Sequence, residues 1–412
     1  MLVTKYPKIL VITENPPREN SLGFGRTLTN ILKDYPSDKI LYYLPDEDYS
    51  HPDYQVFQSK FLKFGLKNKR INEPRWWVPY FNKVLNFYNH SLQSLRVPHQ
   101  QLKVITEFGA DVIFVVPMMY ATLLEAKRIN KFIRIPMFIY LMDDTMHDRW
   151  CHWGGMRQSI IKQVLRKAAG WVMISKYLAE VLAKRYGIDS PKTLILHNPV
   201  DSTMAIRTYS PLGRNKFVIA YAGSIHAFHD ALFKVAEAVY IMQQEGMDVE
   251  LKIYTRQDFW KNSEMTFKKW NVVNGGFVNY DQLFKTLNEA DLLLCTTSFS
   301  QQHTSLVSTS VFTKLTDYMA SGRLVLSYGP SYSANNRFMK ENNLGITFDD
   351  PDIGALKEYI KTQIHSKGNH ENLVNVQAGY IQNKSNSLSM SNEFVSFLLK
   401  EQINSFQENT FL

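Results

Sequence analysis

An acidic cluster follows one of the most apolar stretches of the sequence. Residues 135–144 are almost entirely apolar until they end in Asp143 and Asp144, and His147 and Asp148 follow shortly after. Ionisable side chains after a buried parallel strand lie at the carboxyl edge of the sheet, where ligands bind. There Asp143, Asp144 or His147 can accept a proton from a substrate hydroxyl or orient that hydroxyl. The plainer alternative is capping of the next helix and surface ion pairing.

A second group of candidates lies in the segment SVFTKLTDYMASG. Its pattern predicts a loop that opens a helix near Phe312, and the free N–H groups and dipole of a helix start attract a diphosphate. Ser310 and Thr313 add hydroxyl donors, and Lys314 adds a charge that can balance a departing phosphate. Asp317, one turn later on the same face, can accept hydrogen bonds from a diol. The alternative is a capped amphipathic helix with a solvated Lys–Asp pair.

Further along the chain, glycine turns follow predicted strands. In YAGSIHAFHD, Gly223 and Ser224 lie between a strand and a helix, so the backbone can approach a phosphate closely. Arg256 follows the next strand and can supply a cation, or it is an ordinary surface residue. The glycine pair in NGGFVNYDQL permits another close backbone approach, or forms an ordinary strand-to-helix turn.

The first half of the chain has its own glycine turn, SLGFGRTL. Gly23 and Gly25 precede a helix, and Arg26 at the helix start can reach an anion. The pattern lacks the third glycine and the acidic partner of a dinucleotide site, so it is weak evidence. Tight packing between strand and helix is the alternative.

These candidates follow short apolar runs that alternate with amphipathic helices. Strands are predicted at residues 8–13, 39–44, 110–117, 135–144, 171–175, 193–199, 216–223, 248–255, 272–278, 290–298 and 323–329. The alternation is typical of an α/β protein with parallel sheets and crossover helices.

The alternation of strands and helices is interrupted at residues 201–215, where Pro, Gly and polar residues predict a linker. We therefore predict a Rossmann-like domain at 1–205, a second at 216–390, and a final helix at 391–412 that can return to the first domain. Residues 49–101 do not fit the alternation and are predicted to be an aromatic and basic insertion.

Composition narrows the function classes. A net charge of +9 suits nucleic acid, an anionic membrane surface or anionic substrates, but no nucleic-acid-binding signature is visible. The two cysteines lack disulfide or metal spacing, and no stretch resembles a secretory signal or a transmembrane span. A cytoplasmic enzyme is predicted. Basic and aromatic residues interleave at 60–81, which suits a membrane interface or an inward-packed insertion.

The order and spacing of several motifs together resemble the GT-B fold glycosyltransferases, nearest the retaining family 4 group. The resemblance is carried by NSLGFGRTL, MISKYLAEVLAKRYG, LHNPVD, YAGS, GGFVNYDQLFKTLNEADLLLCTTS and TKLTDYMASGRLVLSYG. It implies two Rossmann-like parallel-sheet domains facing across a cleft. It also implies a UDP- or GDP-linked sugar donor in the second domain and a glycan or lipid-linked acceptor at the first.

The resemblance further implies residue roles. Lys314 would offset charge on the leaving nucleotide, Asp317 would hold the ribose, and the turn with Phe277 and Val278 would cradle the base. In retaining members a donor phosphate oxygen acts as the base, whereas inversion would require a carboxylate. No metal or other cofactor is expected. Thr309 stands where many members carry the first of two glutamates.

The sequence therefore predicts a hexosyltransferase of surface polysaccharide or glycolipid synthesis, on the inner face of the membrane or free in the cytoplasm. A nucleotide-sugar epimerase of the same fold is one alternative. A non-catalytic GT-B-like subunit is another, which the missing carboxylate at Thr309 favours.

Overall fold

The computed structural model describes residues 5–14, 16–17, 23–45, 59–64, 75–78, 80–81, 84, 99–118, 120–144, 154–225, 229–366 and 370–410. The chain divides into two compact units. The first is Met1–Leu196 with Met390–Leu412, and the second is His197–Ser389. Each contains one parallel sheet with connecting helices, which confirms the predicted α/β class.

In the described part of the first unit, the strands form a sheet in the order β3-β2-β1-β4-β5-β6-β7. They are β1 (Ile9–Thr13), β2 (Ile40–Pro45), β3 (Lys60–Phe64), β4 (Val112–Val116), β5 (Met137–Leu141), β6 (Gly170–Met173) and β7 (Thr193–Ile195). The helices are α1 (Phe24–Leu32), α2 (His99–Phe108), α3 (Tyr120–Ile133), α4 (Gly154–Lys167) and α5 (Lys176–Tyr186). β1, β4 and β5 are buried along their whole length because helices cover both faces, which explains their continuous apolar runs.

β3 corrects part of the sequence interpretation. It lies inside the predicted insertion but pairs in parallel with β2, with Leu41 opposite Lys60. The Phe61 ring stacks on Tyr42 at 5.5 Å. As an edge strand with lysines at positions 60 and 63, KFLKF lacks the apolar run by which we recognised the central strands.

The first unit is completed by residues from far along the chain. Helix α14 (Ser387–Thr410) packs Phe394 against Phe114 at 4.7 Å and Phe397 against Phe138 at 5.7 Å between ring centroids. Gly170 makes room for this helix, since a Cβ there would lie 2.7 Å from Phe397. Burial of the Phe394 side chain contributes roughly 2–3 kcal/mol, whereas Phe397 is only partly buried.

The second unit has the strand order β10-β9-β8-β11-β12-β13. Its strands are β8 (Phe217–Ala222), β9 (Val249–Tyr254), β10 (Val273–Gly276), β11 (Leu292–Thr296), β12 (Leu324–Tyr328) and β13 (Ile346–Phe348). Its helices are α6 (His229–Gln244), α7 (Gln257–Lys269), α8 (Tyr280–Asn288), α9 (Thr304–Thr309), α10 (Lys314–Ala320), α11 (Ala334–Asn342), α12 (Ile353–His365) and α13 (His370–Lys384).

The segment between β7 and β8 packs on the second unit. Arg323, which is buried, donates to the Ser210 carbonyl at 2.5 Å, and a Cβ at Gly322 would lie 2.6 Å from the Thr208 carbonyl oxygen. The residues predicted to be a linker therefore pack against the second unit, whose sheet follows them in the chain. Across the described helices, none has both the length and the apolar composition needed to span a bilayer.

Candidate functional site

The second sheet reverses its strand order beside β8. This strand pairs with β9 on one side and with β11 on the other, so a crevice opens beyond its carboxyl end, where ligands of parallel sheets bind. Gly223 and Ser224 follow β8 and are exposed. The Gly223 N–H donates to the Tyr254 carbonyl at 2.9 Å, which ties this turn to the end of β9.

Gly223 allows a cation to approach the backbone. Its φ of +137° lies where side chains other than glycine are strained, and a Cβ there would lie 3.1 Å from Lys314 Nζ. The structure therefore brings together two predicted site residues that are distant in sequence. Their contact depends on glycine at position 223.

Lys314 contacts Tyr221 in this crevice. Its Nζ donates to the Tyr221 hydroxyl at 2.6 Å and lies 4.0 Å from the centroid of the Tyr221 ring. The Tyr221 hydroxyl donates in turn to the Ser224 carbonyl at 2.5 Å. Burial lowers the pKa of Lys314 from 10.5 to about 8, so the side chain still carries its charge at neutral pH. A cation that is already partly desolvated is well suited to pair with a phosphate.

The helix that follows differs from its prediction. It begins at Lys314 rather than near Phe312 and is only seven residues long. The Phe312 N–H donates to Asn335 Oδ1 at 2.9 Å, and the Ser310 N–H donates to the Leu306 carbonyl at 2.9 Å. Both N–H groups are therefore already bonded within the protein. Helix α9 ends at Thr309. Its last turn and the Asn335 side chain bond the backbone of the segment before α10.

Asp317 is buried on α10, one turn after Lys314. Its Oδ1 lies 3.4 Å from the hydroxyl of Tyr280, the first residue of α8. Thr313 is partly buried at the N-cap of α10, and its side chain makes no capping bond. Asp317 is therefore close to the turn that leads into α8, where a base was expected to bind.

That turn contains Phe277 and Val278. Phe277 is 52% exposed and Val278 is partly buried. The Thr255 N–H donates to the Gly276 carbonyl at 2.9 Å, so the turn is fixed to the end of β9. Arg256, the next residue after Thr255, is engaged elsewhere. Its guanidinium pairs with Asp258 on α7 at 2.8 Å.

In the first unit, one carboxylate of the acidic cluster is paired with an arginine. Both oxygens of Asp144 accept hydrogen bonds from Arg185 at 2.6 Å, and the Asp144 side chain is buried. Asp143, two residues after the end of β5, is partly buried. His147 and Asp148 lie outside the described residues. Within the described ranges, no group of three or more His, Cys, Asp and Glu side chains is arranged to hold a metal ion.

The glycine turn of the first unit is partly helical. Helix α1 begins at Phe24, earlier than predicted, so Gly25 and Arg26 belong to its first turn. Gly23 is the N-cap residue with φ +54°, and the Gly25 carbonyl accepts from the Thr29 hydroxyl at 2.8 Å. Gly25 is buried and Arg26 is partly buried. Gly23 alone has a backbone conformation that requires glycine.

Sequence reasoning missed the tyrosines of the second unit. The Tyr318 hydroxyl accepts from the Ala222 N–H at 2.6 Å and donates to the Ala222 carbonyl at 2.9 Å, so it fixes the end of β8. Tyr221 contacts Lys314, as described above. Both tyrosines lie in motifs that we recognised, but we assigned no role to either of them. Their hydroxyl groups were the available signal, since a buried tyrosine needs a hydrogen-bond partner.

Solved structures with a similar fold are glycosyltransferases and related enzymes. HepE from Anabaena in complex with UDP has a TM-score of 0.68 at 14% identity, with 95% of this chain and 100% of HepE aligned. Sucrose-phosphate synthase from Thermosynechococcus elongatus has a TM-score of 0.67 at 10% identity, with 97% and 99% aligned. The lipopolysaccharide outer core galactosyltransferase WaaB in its apo form has a TM-score of 0.61 at 14% identity, with 95% and 99% aligned.

These alignments cover nearly the whole of each chain, and they show that this protein has the GT-B fold. Another structure of HepE contains UDP-glucose. No family model and no curated protein matches the sequence.

Proposed function

From the GT-B fold, we propose that this protein is a glycosyltransferase that moves a sugar from a UDP- or GDP-linked donor to a glycan or lipid-linked acceptor. One observation carries the proposal. The Lys314 ammonium lies against the Gly223 turn beyond the end of β8, held by the Tyr221 hydroxyl. A nucleoside diphosphate is the anion that this crevice suits, and HepE, which shares the fold, was solved with UDP and with UDP-glucose.

Lys314 has the central chemical role. When the sugar leaves, negative charge grows on the diphosphate, and a nearby cation stabilises that charge in the transition state. The exposed backbone of Gly223 and Ser224 and the hydroxyls of Ser310 and Thr313 complete the diphosphate contacts. Because Lys314 is held before the donor arrives, little reorganisation is needed during the reaction.

The nucleoside occupies the region around α8. Asp317 accepts hydrogen bonds from the ribose diol, and Tyr280 orients its carboxylate. Main-chain groups of Phe277 and Val278 contact the base. Arg256 contributes at the rim of this site if the ligand draws it away from Asp258, and that exposed ion pair costs little to break.

The acceptor binds at the first unit. Asp143 orients the acceptor hydroxyl, together with His147, while Asp144 holds the turn after β5 through its ion pair with Arg185. Gly23, Gly25 and Arg26 border the same sheet edge. We propose a retaining hexosyl transfer in which a donor phosphate oxygen accepts the proton, because both oxygens of Asp144 are already bonded to Arg185.

A surface polysaccharide or glycolipid is the proposed product, and the insertion supports this. Trp76 is 84% exposed and Tyr80 is 64% exposed, within a stretch of the sequence that is rich in lysine and arginine. Aromatic and basic side chains together favour an anionic membrane surface. Trp76→Ser should therefore lower co-sedimentation with phosphatidylglycerol vesicles. Met265→Ser, which changes a side chain that is 88% exposed in the other unit, should not lower it.

One observation favours a second candidate, a non-catalytic subunit. Thr309 is buried and its hydroxyl donates to the Ser305 carbonyl at 2.6 Å, so this position offers no carboxylate to a donor sugar. Such a subunit would bind the nucleotide and transfer nothing.

Thermal stabilisation by UDP, GDP and their sugar conjugates tests the proposal most directly, because a ligand that binds only the folded protein raises its melting temperature. Stabilisation by one nucleotide series, followed by acceptor-dependent loss of the sugar nucleotide, is the expected result. No stabilisation by any of these ligands would reject the donor site. Stabilisation without turnover across many acceptors would support the non-catalytic subunit, and sugar conversion without acceptor would indicate an epimerase.

A further inference from the structure

Three consecutive residues before Lys314 are bonded by side chains from elsewhere in the chain. The Val311 carbonyl accepts from His197 Nε2 at 3.1 Å. The Phe312 N–H donates to Asn335 Oδ1 at 2.9 Å. The Thr313 carbonyl accepts from Asn198 Nδ2 at 2.9 Å. His197, Asn198 and Asn335 are all buried. We call these three residues the clamp.

The clamp provides hydrogen bonds to a backbone segment that has no regular secondary structure. Residues 311–313 lie between α9, which ends at Thr309, and α10, which begins at Lys314. Backbone groups in such a segment usually bond to water, and the segment is then free to shift. Here bonds to three successive residues fix both its position and its orientation.

Each clamp residue has a donor or an acceptor that matches the backbone group it bonds. A carbonyl only accepts, so the His197 nitrogen that faces Val311 must carry the proton. Burial lowers the pKa of His197 to about 4, so the ring stays neutral over the physiological range. Asn198 uses its other amide hydrogen on Thr316 Oγ1 at 3.1 Å. Asn335 donates to Cys295 Sγ at 3.4 Å, which sets its amide orientation.

The segment that faces Lys314 from the other side is also fixed. Tyr318 bonds both backbone groups of Ala222, just before Gly223. Lys314 therefore lies between two backbone segments that buried side chains hold in place. An ammonium held in this way meets a ligand phosphate without first ordering its surroundings, and small displacements of such groups are costly for binding and catalysis.

We propose that His197, Asn198 and Asn335 are positioning residues, which act through residues 311–313 to place the Lys314 ammonium for the donor diphosphate. The inference depends on the proposed function for the identity of the ligand. The placement of Lys314 itself is open to measurement without any ligand.

Two variants remove single bonds of the clamp. His197→Phe keeps an aromatic ring next to Phe338, whose centroid is 5.6 Å away, but it cannot donate to Val311. Asn335→Leu removes the acceptor for the Phe312 N–H. His197→Gln retains an amide donor and serves as the conservative variant. Asn336→Leu is the matched control, because Asn336 is equally buried on the same helix but donates to the Gly329 carbonyl at 2.8 Å.

The first measurement is the affinity for UDP by calorimetry, at a temperature where every variant is folded. We expect His197→Phe and Asn335→Leu to weaken UDP binding by roughly tenfold or more, and His197→Gln to recover most of the loss. Asn336→Leu should lower the melting temperature and leave the UDP affinity unchanged. Equal UDP affinity in all four variants would overturn the proposal.

The second measurement is the pH midpoint of amine labelling at Lys314, followed by mass spectrometry without ligand. The wild-type midpoint should lie near the pKa of about 8. His197→Phe and Asn335→Leu should raise it, because a released segment exposes the ammonium to water, while Asn336→Leu should not. If neither UDP nor GDP binds the wild type, the proposed function fails, but this midpoint still decides whether the clamp places Lys314. An unchanged midpoint would then reject the clamp.

Discussion

The carboxyl ends of β5 and β8 offer a direct comparison. Both strands are buried along their length and both lead to a charged candidate residue, Asp144 in one unit and Lys314 in the other. Asp144 has both oxygens bonded by Arg185, whereas the contacts described for Lys314 are with a hydroxyl and an aromatic ring. Asp144 is therefore paired with a cation inside its own unit, whereas Lys314 contacts Tyr221 beside the Gly223 turn, where we propose that the donor diphosphate binds.

Replacement of Lys314 should have the largest functional effect. We expect Lys314→Ala to reduce kcat/KM with a nucleotide-sugar donor by roughly 100- to 1000-fold, as loss of a charge-stabilising group in a transition state does. The melting temperature should change little, because the side chain is only partly buried. Steady-state kinetics and thermal denaturation measure the two effects. Undiminished turnover would remove Lys314 from the donor site and break the comparison.

Replacement of Asp144 should give the opposite result. Asp144→Asn leaves the Arg185 guanidinium without its buried carboxylate, which we expect to cost about 3 kcal/mol in the free energy of unfolding. Denaturant unfolding measures this cost, and the Asp144→Asn, Arg185→Gln double variant should lose less than the sum of the single variants. The folded fraction should retain its turnover. A variant with normal stability and no turnover would instead make Asp144 catalytic.

The pH dependence of UDP affinity sharpens the comparison. Burial lowers the pKa of Lys314 to about 8, so the free protein loses this charge as the pH rises through that value, whereas a bound diphosphate favours the charged form. UDP affinity should therefore fall above pH 8, by at most roughly tenfold per pH unit. Calorimetry over this range measures the effect. Lys314→Arg should flatten the profile, and an identical slope in that variant would assign the titration to another group.

Asp317 should have the smallest effect of the four. Loss of the proposed ribose hydrogen bonds in Asp317→Ala should weaken UDP binding by roughly five- to tenfold. The same variant should bind UDP and 2′-deoxy-UDP with more nearly equal affinity than the wild type does. If the variant still prefers UDP over its deoxy analogue to the full extent, the ribose lies elsewhere.

The sequence predicted the parts of this fold that depend on local pattern. Strands such as β4 and β5 were recognised because burial on both faces gives an unbroken apolar run. β3 and β13 were missed because they lie at the sheet edges and lack such a run. Motif order was enough to single out Gly223 and Lys314 as candidates, and the fold brings the two residues together.

Features that depend on distant contacts could not be predicted. Asp144 and Arg185 are 41 residues apart, so local spacing gave no sign that the carboxylate is paired. The bond between Phe312 and Asn335, just before α10, joins residues that are 23 positions apart. The hydrogen bond between Tyr221 and Lys314 spans 93 residues. In each case the individual residue types were visible, but the fold decides which of them meet.

The packing of α14 on the first unit has a consequence for biosynthesis. Phe394 and Leu398 belong to the buried core beside β4 and β5, yet the ribosome adds them after the whole of His197–Ser389. The second unit therefore has all its residues available for folding while the first still lacks part of its interior. During translation the first unit is therefore completed after the second, although most of its residues are made earlier. Until α14 emerges from the ribosome, the nascent first unit exposes the apolar groove that this helix covers.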